Sequence, residues 1–243
     1  MTDPSYPSYQ VPSGIDPSYG QYALGVDPRS GPAWEDPNLG LVSRLVETVK
    51  PVFARPTEFF RTMRLEGDFL KPLYFGVIMS SVVAFAVMLL QVVIQGITLI
   101  PALASGRNTE DAIAGFAIFA GTMLCTLVLT PLFAAGGLFM QAGILHLCLM
   151  IVGGANKGFE ATFRVCCYAA AINLLAIIPC VGGYIAGPWM IVAQILGVIN
   201  THETDTWRGV MAVLLPIIVC CGGMLLLVAL VIGVGGVAAA LGQ

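Results

Sequence analysis

The sequence predicts an all-α integral membrane protein with five transmembrane helices and a disordered N-terminal tail. Three observations carry this. Of the 243 residues, 57% are hydrophobic and only 10% charged, with a mean hydropathy of +0.87. Soluble domains carry about 25% charged residues, so a globule of this composition could not cover its own surface. No Asp, Glu, Lys or Arg occurs in residues 72–106, 112–156, 165–202 or 209–243, and each stretch exceeds the roughly 20 apolar residues that cross a bilayer as a helix. The ten-residue apolar/polar alternation of a barrel is missing.

Residues 1–40 read as a disordered, solvated tail. They are rich in Pro, Ser, Gly and Tyr, with Asp-Pro at Asp3, Asp16, Asp27 and Asp36 and "DPSY" twice; such a composition buries too little to offset ordering entropy. No removable signal peptide is expected, because no apolar core with a cleavage site occurs there. The first span then serves as its own insertion signal. Residues 41–71 form an amphipathic juxtamembrane segment. Leu41, Leu45, Val46, Val49 and Val52 recur near helical period among Arg44, Glu47 and Lys50, a pattern expected to lie on the cytoplasmic membrane surface, with a partner-binding helix as the sharper alternative. Pro51 and Pro56 interrupt it, and Pro56 suits the first turn of a second short helix.

Residues 72–243 are the transmembrane domain. Residues 72–99 give the first span. Residues 165–202 carry a midpoint break, "PCVGGYIAGP", and so read as a tight hairpin of two spans, about 162–179 and 183–200. Residues 209–240 give the last span, with Pro216, Gly222 and Gly223 as kink sites. The 112–156 stretch is long enough for one span or for two short helices split near Thr130-Pro131. The positive-inside rule favours a single crossing, which leaves Arg107 as the one Lys or Arg outside. The N terminus is then cytoplasmic and the C terminus outside.

At the mouth of the third span stand Glu160 and Arg164, four apart and so on one helix face. They read as an interfacial anchor with Arg164 snorkelling to the headgroups. His146 is the single ionisable side chain inside a predicted span, and intramembrane ionisable groups are functional candidates. It reads as a helix-to-helix hydrogen bonder, with a proton relay as the sharper alternative. Gln91 and Gln95 read as helix glue. His202, Glu203 and Asp205 read as a solvated turn rather than a metal site, and no cofactor is expected. Six of the seven cysteines lie in apolar runs and read as small apolar residues, with Cys180 the one near water. A net charge of −3 gives no expectation of nucleic acid as a partner. No nucleophile elbow, metalloprotease or phosphate-loop motif is present, so no enzymatic activity is expected.

Several weak motifs in order resemble the Yip domain family: "RPTEFFRTM", "GDFLKPL", "GGANKGFEATFRVCCYA", "IPCVGG" and "THETDTWRGVMAVLLP", over about residues 55–225. These are five-span membrane proteins named as interactors of Ypt/Rab GTPases. The resemblance maps Asp68 and Pro72 before the first span and Gly158, Phe163, Arg164 and Tyr168 into the third. Pro179, Gly182 and Gly183 map to the hairpin turn. It implies a non-enzymatic protein that organises partners or bilayer shape through its helices and cytoplasmic segment. Its partners would be the lipid bilayer and a further protein, with self-association as one form. Eukaryotic relatives act at Golgi and endoplasmic-reticulum membranes; the short loops and DP-rich tail here resemble bacterial relatives, which implies a bacterial inner membrane. The competing reading is a small transporter or channel with Gln91, Gln95, His146 and Asn173 as a polar path.

Overall fold

A computed structural model describes residues 29–106 and 109–241. The expectation of a disordered tail for residues 1–28 lies outside the described residues, as does Arg107. The described residues form seven α-helices and no strand. Two short helices, α1 (Leu41–Ala54) and α2 (Pro56–Thr62), precede α3 (Leu70–Ala104) and α4 (Thr109–Ile151). Then come α5 (Phe159–Ala169), which tightens into a 3-10 helix over Ala170–Ile177, α6 (Gly182–His202) and α7 (Thr206–Leu241). Five of these stretches are long and apolar enough to cross a membrane, with bounds Leu70–Pro101, Thr109–Ile151, Phe159–Ile177, Gly182–His202 and Thr206–Leu230. Residues 112–151 of the 112–156 stretch belong to one continuous helix of 43 residues, Thr109–Ile151, not two. It passes through Pro131, whose ring removes one backbone donor, while the Thr130 hydroxyl donates to the Thr126 carbonyl at 2.7 Å.

The third span is central. Every residue from Ala161 to Ala169 is buried, and α3, α4 and α6 all pack on it. Its small residues let neighbours approach closely: a Cβ on Gly76 of α3 would lie 3.2 Å from the Cys167 backbone and 2.7 Å from Leu138 Cδ1.

Two expectations for the N-terminal region change. Packed structure starts before residue 41: Ala33–Glu35 form a 3-10 turn with Trp34 and Glu35 buried. Helix α1 does not spend its apolar face on a membrane surface. Thr48 and Val52 are buried, with Leu45, Val49 and Phe53 partly buried against the same core. Pro51 also sits inside α1 rather than ending it. An apolar stripe looks alike to lipid and to protein, and here the Ala33–Glu35 turn, α2 and the 3-10 helix Ala170–Ile177 take it. Leu41, Val42 and Val46 remain exposed.

Candidate functional site

The site is a polar layer at one end of the bundle, where α3, α5 and α7 begin and α4 and α6 end. Its centre is Arg164, with a side chain 0% exposed. Arg164 Nε donates to Glu160 Oε1 at 3.0 Å, Nη1 to Glu35 Oε1 at 2.6 Å, and Nη2 to the Asp68 carbonyl at 2.9 Å. The predicted i,i+4 pair is therefore made, but the anchor reading is corrected: Arg164 does not snorkel. It is enclosed, because a carboxylate from 129 positions earlier in the chain meets it. A buried guanidinium needs its donors filled and its charge matched; Glu35, Glu160 and the Asp68 carbonyl do both.

The surrounding residues close this centre. Tyr168, one turn beyond Arg164, donates its hydroxyl to the same Glu35 Oε1 at 2.6 Å, and its ring packs on Phe75 and Phe59 at 5.1 and 5.6 Å. Glu160 Oε1 also accepts the Asp68 N–H at 3.1 Å, and Asp68 Oδ1 accepts the Leu70 N–H. Asp68 thus turns the chain into α3 while its carbonyl serves Arg164. Pro72 lies buried in the first turn of α3, where the missing N–H costs no helix bond. Gly158 is the N-cap of α5 with no side-chain cap bond. Phe163 stacks on Phe139 at 4.4 Å and lies 5.5 Å from Phe69, joining α5 to α4 and to the start of α3.

Residues 29–38 lie across this layer like a bound peptide. Trp34 takes a hydrogen bond from its own N–H to Thr48 Oγ1 at 2.8 Å, and its indole donates to the Lys71 carbonyl at 2.6 Å. Its ring meets Phe75 edge-on at 5.7 Å. Gly31 N–H donates to the Thr62 carbonyl. Arg29 reaches the Asn200 carbonyl and pairs with Glu203 at 2.8 Å. Trp34 and Glu35 were missed by sequence reasoning; the single signal was an aromatic-acid step, "PAWEDP", in an otherwise weakly apolar stretch.

A second chain of bonds runs beside the first. Lys157 N–H donates to His202 Nδ1 at 3.2 Å, which leaves the ring proton of a neutral His202 on Nε2, bonded to Thr162 Oγ1 at 2.8 Å. The Thr162 hydroxyl is then free to donate to His146 Nδ1, also at 2.8 Å. The tautomers follow from this pattern of donors. His146 joins α4 to α5, as the helix-to-helix reading requires. His202 is fully buried at the end of α6, so the solvated-turn reading is corrected for it. His146→Ala should remove about 1 kcal/mol, one neutral hydrogen bond. A thermal melt of the purified protein should fall by only a few degrees.

His202, Glu203 and Asp205 do not converge. Glu203 pairs with Arg29 and Lys157, the latter at 3.2 Å, and Asp205 with Arg208 at 3.4 Å. Partial burial of Glu203 pushes its pKa up, but the bonds and charges of Lys157 and Arg29 outweigh that and hold it below its ordinary 4.5. The stabilisation is therefore complete above that value and is lost as the pH falls through the depressed one. A Glu203→Gln variant should show a flatter loss of melting temperature on acidification below 4.5 than the parent protein.

The hairpin turn is the third feature. Ile178 N–H donates to the Leu175 carbonyl, and Gly182 N–H to the Ile178 carbonyl. Pro179 has no N–H to satisfy, and Cys180 takes a left-handed φ of 66°. Cys180 is exposed on the protein surface. Gly182 has no room for a side chain: a Cβ there would collide with the Leu175 carbonyl. Gly183, in contrast, faces open space.

His146 and Gln91 of the transporter reading lie at different depths. His146 is within one and a half turns of the site end of α4, while Gln91 is exposed some 20 positions along α3, about 30 Å deeper at 1.5 Å per residue. Asn173 is half-buried on the 3-10 helix.

Comparison with curated proteins and with solved structures gives no match. The Yip1 domain model matches residues 50–238. That match takes in α3 to α6, most of α7, and the Asp68, Glu160, Arg164 and Tyr168 positions of the polar layer, and on it the chain belongs to the Yip1 domain family.

Proposed function

We propose that this multi-pass membrane protein is non-enzymatic and works by organising partners or bilayer shape. Its helices act on lipid, and the end bearing the polar layer faces the cytoplasm and meets proteins. The observation that carries this reading is how the polar side chains are used. Arg164, Glu35, Glu160, Tyr168, His146, Thr162 and His202 bond one another between helices, which rigidifies a platform. The cleft between α4, α6 and α7, about 390 Å³, is lined mainly by apolar residues such as Ile144, Met190 and Ile217. That lining suits acyl chains rather than a polar solute. A bacterial inner membrane, with the C terminus outside, fits the charge distribution under the positive-inside rule.

Reconstitution tests it. Purified full-length protein in lipid vesicles should change vesicle diameter with protein density, seen by electron cryomicroscopy, while the vesicles keep a trapped dye and show no saturable solute uptake. Saturable uptake abolished by His146→Ala would instead establish the transporter reading. Unchanged vesicles together with absence of any crosslinked protein at the polar layer in cells would remove both arms of the proposal.

A further inference from the structure

The five apolar helices share a level at one end. Asp68, just before α3, bonds Glu160 in the first turn of α5. Asn156, between α4 and α5, bonds the carbonyl of His202 at the end of α6, and Arg208 in the first turn of α7 bonds the Gly153 carbonyl after α4. From that common level the helices run side by side but to different lengths. Helices α3, α4 and α7 hold 35, 43 and 36 residues, or about 52, 65 and 54 Å at 1.5 Å per residue. The returning arm α6 holds 21 residues, about 32 Å. The outgoing arm, 11 residues of α5 and 8 of 3-10 helix, is of similar length, about 32 Å. The hairpin tip therefore stops about 20–35 Å short of the far ends of the other three.

Those far stretches cannot stand in water. They carry no charge before Thr109-Glu110-Asp111, and Ile97, Ile100, Ile118, Leu124, Leu225 and Leu226 are all more than three-fifths exposed. Met140, Leu147 and Ile151, nearer the polar layer, are more than half exposed as well, so the hydrocarbon belt runs along most of these three helices and holds the level of the hairpin tip within it. Tilt does not change the order of depths, since the helices tilt together. We infer that the α5–α6 hairpin inserts only partway, with its tip against acyl chains rather than in water on the far side.

The tip is built for that place. Ile178, Val181 and Ile185 are about half exposed, and residues 178–187 contain no charged or amide side chain. Non-helical backbone at membrane depth must satisfy its own polar groups; here Ile178, Val181, Gly182 and Ile185 all donate to carbonyls within the turn. The molecule then presents five helices to lipid down to the depth of the hairpin tip and three beyond it. The step from this asymmetry to membrane bending rests on the reading of the protein as a bilayer-shaping one; the depth of the tip does not.

A nitroxide on Cys180 measures the depth. In full-length protein with the other six cysteines replaced, labelled and reconstituted, the label should be relaxed by oxygen more than by a water-soluble nickel chelate. A label on Ser105→Cys should show the opposite ratio. A Cys180 label that responds to nickel as the residue-105 label does would overturn the inference, whatever the vesicle shapes. Tyr184→Lys in the otherwise native chain gives a second readout, because Tyr184 is 83% exposed. A charge there should lower the membrane-inserted yield several-fold, and an unchanged yield overturns partial insertion.

Discussion

Replacing Arg164 by Leu should destabilise the protein by about 3–5 kcal/mol, the range for removing one partner of a buried charge network. The loss is not the lost attraction alone. Glu35, with its side chain 5% exposed, and Glu160, 17% exposed, would be left as two neighbouring carboxylates, with the half-exposed Arg64 3.9 Å from Glu35. Tyr168 and the Asp68 N–H would still donate to them, but neither supplies positive charge. Against a total stability of roughly 5–15 kcal/mol, this is a large fraction. A melt in detergent should show a drop of ten degrees or more, and limited proteolysis should open the chain near Arg29 to Gly40 before the helices unfold. Glu35→Gln keeps a carbonyl oxygen for Tyr168 and for Arg164, so it should be much milder. If Arg164→Leu melts like the parent protein, the network carries no stability and the segment is held by its contacts at Arg29, Gly31 and Trp34.

The second large effect is at the hairpin. Gly182→Ala places a methyl group into the Leu175 carbonyl, a backbone atom that cannot rotate away. The hairpin must open, at about 3 kcal/mol, the upper end of overpacking costs. Gly183→Ala adds the same group in open space, at an early position of α6. It should be neutral or stabilise by up to about 1 kcal/mol through helix propensity. Comparing the two melts isolates the steric effect, since the substitutions are adjacent and chemically identical. Equal melting temperatures would mean that the turn accommodates a side chain by a small shift.

These two contrasts also mark how far the sequence could be read. The spans were legible because a charge-free run longer than about 20 residues has one stable solution in lipid. The Glu160–Arg164 pair was legible because spacing alone puts residues four apart on one helix face. Its burial was not, because the residue that encloses Arg164 lies in another part of the chain with no local mark. Spacing could not separate Gly182 from Gly183 either, since the obstruction at Gly182 is a carbonyl from the opposite arm. Helix α1 shows the same limit from another side. Its apolar stripe is legible, but lipid and protein ask for the same pattern, and only the positions of the Ala33–Glu35 turn, α2 and the 3-10 helix after α5 identify the partner as this chain's own core. His146 is legible as a polar group inside a span, while the residues it meets, Thr162 and His202, come from helices that the linear order keeps 16 and 56 positions away.

The contact between Glu35 and Arg164 has a consequence for how the chain is made. Glu35 leaves the ribosome first, and its partner follows 129 positions later, roughly 6–26 s at ordinary rates of synthesis. During that interval the first two spans can enter the membrane, but the segment bearing Trp34 and Glu35 has nowhere to dock. It closes only after α5 has arrived in register. A nascent chain in which the third span is misplaced would keep this segment exposed to proteases, so the docking reports that insertion has gone correctly.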